Sequence, residues 1–235
     1  MGPGRTFCHA ALGLSLGLLL AGPAAAQLGG SAAVESDYRL RGYSLTDDHP
    51  AASAQLTYDH SSGFYFNLSA LAELGHDAHF LGVVGNVGYA RRLSPHVTLD
   101  AGVLRSQIHS AGRYEPTFKY TEFYAGAFVG PVSGRIYYSP DYRHAGQSTL
   151  YGELEAGFEP KANWRVSGHV GMLTYLNSPS IYDSGSTHRD WRISVLRQFG
   201  SFEIHAAFSG GGPSRYHGYS VHKTPVLTAG TSFSF

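Results

Sequence analysis

The amino-acid sequence predicts an all-β fold: a transmembrane, up-and-down antiparallel β-barrel of about twelve strands. Three observations carry that prediction. Twelve segments, most of them about 9 to 13 residues long, alternate apolar and polar side chains with period 2, and no helical period interrupts them. Short and long connections follow one another in regular alternation. Charged residues are only 14% of the chain, with 13% aromatics and 30 glycines, against roughly 25% charge in an ordinary soluble domain.

The first element is a leader. Arg5 provides a positive start, "AALGLSLGLLLAG" (10–22) is an uncharged apolar run, and "AAA" (24–26) supplies the small residues of a cleavage site. Residues 1–26 are therefore expected to be a signal peptide cut after Ala26, leaving 27–235 as the barrel. The run is too short for a spanning helix, which needs about 20 apolar residues. Cys8, the only cysteine, leaves with the leader, which excludes disulfides and thiol catalysis. Lys+Arg and Asp+Glu are both 17; loss of Arg5 gives 16 − 17 = −1, a balance without the basic excess that nucleic-acid binding needs. No later stretch reaches 18 apolar residues, so a membrane can be crossed only as a closed barrel.

The strands follow in order. "AAVESDYRLRGYS" (32–44) sets Ala32, Val34, Tyr38 and Leu40 against Glu35, Asp37, Arg39 and Arg41. In "PAASAQLTYDH" (50–60), Ala52, Ala54, Leu56 and Tyr58 share a face. "GFYFNLSALAE" (63–73) opposes Phe64, Phe66 and Leu68 to Asn67, Ser69 and Glu73. "FLGVVGNVGYAR" (80–91) aligns Leu81, Val83, Val87 and Tyr89, and "HVTLDAGVL" (96–104) opposes Leu99 and Val103 to Thr98 and Asp100. "KYTEFYAGAFV" (119–129) sets Phe123, Ala125 and Val129 against Glu122, Tyr124 and Gly126. "SGRIYYSPDY" (133–142) opposes Ile136 and Tyr138 to Arg135 and Asp141. "TLYGELEAGFE" (149–159) opposes Leu154 and Phe158 to Glu153 and Glu155. "NWRVSGHVGML" (163–173) sets Val166 and Val170 against Arg165, Ser167 and His169. "DWRISVLRQF" (190–199) sets Trp191, Ile193 and Val195 against Asp190, Arg192 and Ser194. "FEIHAAFS" (202–209) opposes Phe202, Ile204 and Phe208 to Glu203 and His205. "VLTAGTSFSF" (226–235) ends on Phe235.

The strand lengths suit a tilted crossing of roughly 9–11 residues, and the even number is that of bacterial single-chain barrels. Connections near 60–63, 93–96, 130–133, 159–163 and 199–201 are short. Those near 43–50, 74–79, 106–118, 140–148, 177–189 and 210–224 are mostly longer. Short periplasmic turns and long outer loops would produce that alternation. The charged faces are too sparse for a water coat, and Tyr43, Tyr58, Phe64, Trp164, Trp191, Phe199 and Phe235 stand near strand ends as an interfacial girdle would. The oily faces are therefore expected to meet lipid and the charged faces a lumen. The closing "TSFSF" resembles the signal by which outer-membrane barrels are recognised for assembly, which makes the assembly machinery and membrane lipid the expected partners.

"VESDYRLRGYSLTDDHPAASAQLTYDHSSGFYFN" (34–67) resembles the start of a proteobacterial family of signal-bearing barrels, labelled TorF family porins or the Gcw_chp family. The resemblance rests on Ser36, Tyr38, Arg41, Gly42, Pro50, Ala51, Ser62, Gly63, Phe64 and Tyr65, with "YYSPDY" (137–142) further on. The sequence departs from the family pattern after Tyr65, where "FNLSALAEL" replaces a Gly- and Trp-containing segment. The resemblance implies an outer-membrane location and a pore, with no particular substrate.

Candidate lumen-lining acids are Glu35, Asp37, Glu73, Asp100, Glu122, Asp141, Glu153, Glu155, Asp190 and Glu203; the bases are Arg39, Arg41, Arg92, Arg135, Arg165 and Arg192. Such side chains could set a field for small polar solutes and ions, or pair across strands and fill the lumen. Both readings stand on the sequence: a passive channel, and a filled barrel serving a structural or adhesive role through its outer loops. The sequence leaves the oligomeric state open. "HDAH" (His76, Asp77, His79) has metal-ligand chemistry, yet loop composition alone explains such pairs more often, and no metal or cofactor is expected. His60 and Ser62 could form a hydrolase pair, but no acidic third member and no G-x-S-x-G accompany them, so no enzyme is expected.

Overall fold

The chain's architecture was obtained as a computed structural model, which describes residues 27–75, 78–109, 117–142, 145–177, 186–212, 215–216, 219–220 and 225–235. The predicted leader, 1–26, lies outside the described residues. In chain order the strands are Gln27–Glu35 (β1), Arg39–Leu40 (β2), Tyr43–Ser44 (β3), Ala51–Asp59 (β4), Phe64–Glu73 (β5), His79–Ser94 (β6), Val97–His109 (β7) and Thr117–Val129 (β8). They continue with Val132–Ser139 (β9), Thr149–Lys161 (β10), Trp164–Tyr175 (β11), Thr187–Phe199 (β12), Phe202–Gly211 (β13), Arg215–Tyr216 (β14), Tyr219–Ser220 (β15) and Val226–Ser234 (β16).

Twelve of these strands form a closed antiparallel barrel, in the order β1-β16-β13-β12-β11-β10-β9-β8-β7-β6-β5-β4. Every neighbour but one is consecutive among the barrel strands, so the fold is a meander closed by β1 on β16. Ala32 sits opposite Phe233 and Val34 opposite Thr231. Closure leaves no unpaired edge, the condition for a sheet to sit in lipid. The strands β2–β3 and β14–β15 form two-residue ladders of their own.

One end of the barrel carries tight turns, the other long connections. Val129 pairs Val132 and Phe199 pairs Phe202, which leaves two turn residues each. Gly130, Asn163 and Gly200 take the positive φ that such hairpins demand. The predicted alternation of short and long connections is thus present.

Side chains divide by parity. Phe64, Val87, Phe123, Ile136, Leu154, Phe158, Val170, Ile193 and Ile204 are exposed on the outside, whereas Asp100, Glu122, Arg135, Asp190 and Glu203 are buried inside. A soluble barrel would have this reversed. At the short-turn end the exposed rings form contacts of a girdle: Phe64 with Tyr89 (5.1 Å) and Phe202 with Phe233 (4.9 Å).

Three sequence expectations are corrected. The strand predicted over 32–44 ends at Glu35, which pairs Ala51, the first residue of β4, on one side and Gly230 of β16 on the other. Tyr43 belongs to no girdle and is buried inside the barrel. Leu81 points inward, because pairing between β5 and β6 slips from Leu71–Gly82 to Ala72–Phe80 and reverses the parity there.

Candidate functional site: an inner hairpin between two unlike walls

The segment between β1 and β4 turns into the barrel. Its own hydrogen bonds hold it: Leu45 N donates to Tyr38 O (2.8 Å), Tyr38 N to Thr46 Oγ1 (3.0 Å), and Thr46 Oγ1 to Asp37 Oδ1 (3.0 Å). Arg39 pairs with Asp37 at 2.9 Å and donates to Gly42 O at the same distance. Hydrophobic burial draws it inward: Tyr38, Tyr43 and Leu45 join Leu71, Leu81, Val84, Leu104 and Ile108 in one buried cluster. At the tip, Arg41 and Gly42 both have positive φ (48° and 85°). Gly42 is needed there, since a Cβ would meet the backbone of Gly211 and Gly212 below 3.0 Å.

The tip reaches the far wall. Arg41 donates from Nη1 and Nη2 to the two carboxylate oxygens of Glu122 on β8, at 2.8 and 2.9 Å. Its guanidinium lies over Tyr151 (4.0 Å), with Tyr137 and Tyr142 each at 5.4 Å. Since β8, β9 and β10 stand opposite β1 in the barrel order, the hairpin crosses the interior. A cavity of about 70 Å³ remains beside it, between Arg39, Arg41, Glu122, Glu153, Asp190 and Arg192, which is room for a few waters.

Behind the tip, toward the short turns, the β5–β9 wall is filled. Arg135 pairs with Asp100 (2.9 Å), both buried; Tyr65 Oη donates to Asp100 (3.0 Å); the Tyr65 and Tyr124 hydroxyls meet at 2.6 Å; Asn86 Nδ2 donates to Tyr124 Oη (3.1 Å). Gly88 and Gly102 make this packing feasible, since a Cβ at either would collide with the Tyr65 and Tyr124 rings or hydroxyls. The opposite wall differs. Glu155 on β10, Arg165 and Ser167 on β11, and Arg192 and Ser194 on β12 all keep part of their surface open. Ser167 and Ser194 bond each other at 2.7 Å. Among the described residues the side chains of Glu155, Arg165 and Arg192 make no hydrogen bond or ion pair.

The other candidates fall into smaller groups. Tyr137 Oη donates to Glu153 (2.9 Å), and Asp190 holds His169 (2.9 Å) and the Tyr151 hydroxyl (3.3 Å). His205 lies between Glu203 (3.5 Å) and Glu35 (3.7 Å). Glu73 faces His49 and His79 at 3.2 and 3.4 Å. Asp37, Arg39 and Arg41, expected on a barrel strand, are hairpin residues instead. Asp141 lies just beyond β9, where it accepts from the Thr121 amide (2.9 Å) and so continues the sheet edge. Arg92 is exposed near the short-turn end of β6. Phe235 is exposed and bonds Gly30 through both backbone groups at 3.0 Å.

His76 and Asp77 of the "HDAH" stretch lie outside the described residues, and among the described ones no cluster has metal-site geometry. His60 Nδ1 does meet Ser62 Oγ (2.7 Å), but the same nitrogen also accepts from the Ser62 amide (3.2 Å) within an exposed turn. That is a turn cap. Sequence reasoning passed over Tyr65, Tyr120, Tyr137, Tyr142 and Tyr151 as interior partners. The parity of the four on strands was readable, because each stands next to an exposed residue; Tyr142 lies in the connection after β9, where parity gives no guide.

No curated protein sequence matches the chain. Solved structures do resemble it in fold. The NanC porin superposes with a TM-score of 0.57 at 10% identity, covering 88% of this chain and 99% of that one. The KdgM porin gives 0.54 at 11% identity with the same coverage. A family model described as bacterial protein of unknown function matches residues 21–225. Spanning nearly the whole barrel, that match places the chain in the Gcw_chp family.

Proposed function

We propose that the chain is an outer-membrane channel through which small hydrophilic solutes or ions diffuse passively. The carrying observation is the asymmetry of side chains: apolar outside all round, polar and partly open inside along β10–β12. Water needs a continuous polar lining to cross a bilayer, and exposed large apolar side chains on every barrel strand need acyl chains. The solved porins of the same fold support the reading, as does the leader expected at 1–26. The inner hairpin would act as the constriction, and Glu155, Arg165 and Arg192 as the charges a solute meets. We read Phe235 as the assembly signal and assign no catalytic role to any residue.

A second reading is favoured by one specific feature. The hairpin crosses the interior and is clamped by Arg41 to Glu122, which would suit a closed barrel acting through its outer loops. Purified full-length protein in planar bilayers separates the two. Steady conductance steps that grow when Arg41 is replaced by Ala support the channel. Silence in both wild type and R41A supports the closed barrel.

A further inference from the structure

The wall that receives Arg41 is built from elements other than the hairpin. Glu122 and Tyr120 come from β8, Tyr137 from β9, Tyr151 from β10, and Tyr142 from the connection after β9. Their partners also belong to the wall: Tyr137 donates to Glu153, Tyr151 bonds Asp190 and His169, and Tyr120 packs on Tyr142 at 4.9 Å. Removing the hairpin would leave a carboxylate ringed by tyrosines, already positioned. Such a cage binds planar cations, by paired charge-assisted hydrogen bonds to the carboxylate and by the ring faces. Its present occupant is a guanidinium.

We propose that this cage is a binding site for guanidinium- or amine-bearing solutes, and that Arg41 is a tethered occupant that such solutes displace. Three further observations support it. Arg41 is a non-glycine residue at φ 48°, a strained backbone state whose relief favours release. The cavity of about 70 Å³ adjoins the cage, and Glu122 is part of its lining. With Arg41 withdrawn, the cavity lining holds three carboxylates (Glu122, Glu153, Asp190) against two guanidiniums (Arg39, Arg192), and Arg39 is already paired with Asp37. The proposal rests on the channel reading only for its physiological meaning; the cage itself can be tested by binding.

The test is calorimetric titration of agmatine, a small guanidinium–amine, into full-length barrels folded in detergent. Wild type is expected to bind weakly, R41A on the order of tenfold more tightly, and R41A/E122Q to lose that gain. Urea, planar but uncharged, should bind to none. Arg41→Gln provides a second vacated cage should R41A fold poorly, with folding checked by heat-modifiable gel mobility. Equal affinity in wild type, R41A and R41A/E122Q, or no binding to folded R41A and R41Q, overturns the proposal. Conductance is recorded separately on the same samples. A silent barrel that still binds agmatine through Glu122 sinks the channel and spares the cage, and a conducting barrel that ignores agmatine does the reverse.

Discussion

Two walls of the same barrel, in its short-turn half, solve the problem of interior polarity differently. On the β5–β9 side, Asp100, Arg135, Tyr65, Tyr124 and Asn86 close their hydrogen bonds on one another and are buried. On the β10–β12 side, Glu155, Arg165, Ser167 and Ser194 stay partly open. A buried charge must be paired, whereas a charge with water nearby need not be. The difference teaches that an inward charge in such a barrel is either mortar or lining, and that pairing and exposure tell which.

That distinction can be broken by substitution, and the largest effect belongs to the filled wall. Arg135→Ala strips the partner from a buried Asp100 and should destabilise the barrel by about 3–5 kcal/mol, read as a lower midpoint in urea unfolding from lipid vesicles. A loss under 1 kcal/mol would mean that water reaches Asp100. Next comes the outer face: Ile193→Arg puts a charge toward acyl chains and should lower stability by about 2–4 kcal/mol if it lies near mid-bilayer. An unchanged midpoint there would remove the lipid-facing assignment of β12. Smaller again, Tyr65→Phe deletes the donor to Asp100 and the contact with Tyr124, at about 1–2 kcal/mol. The smallest effect on stability belongs to the open wall. Arg165→Glu should shift the midpoint by no more than about 0.5 kcal/mol, yet move the reversal potential in a salt gradient toward cation preference. If it instead unfolds the barrel, Arg165 is mortar too.

Much of the fold was legible because the barrel strands keep a period of two, broken in β6 at Leu81, and because short turns carry residues such as Gly130, Asn163 and Gly200 that tolerate positive φ. The inner hairpin was not. Alternation runs on from Glu35 through Ser44, since a segment packed inside a barrel also sends successive side chains to opposite sides. Only the partners reveal the end: β4 begins at Ala51, opposite Glu35, and the pairing with β16 stops at Gly230. A local signal existed in "DYRLRGYSLT", where Asp37 takes hydroxyls from Ser44 and Thr46 and Gly42 makes the turn. Parity selects candidate charges on the barrel strands but does not say how they are joined, because Arg41 meets Glu122 across 81 residues of sequence. The tyrosines were overlooked for a related reason. A ring with one polar atom reads as lipid-facing until its hydroxyl is seen to reach Asp100, Glu153 or Asp190.

The central claim is that water follows the β10–β12 wall and avoids the β5–β9 wall. The only cysteine is Cys8, within the leader expected at 1–26, so single cysteines can be placed at Ser167 and at Asn86 and modified with a membrane-impermeant sulfonate thiol reagent in reconstituted barrels. The account predicts rapid modification of S167C and modification of N86C slower by about an order of magnitude or more. Equal rates at the two positions, or full protection of S167C, would contradict it.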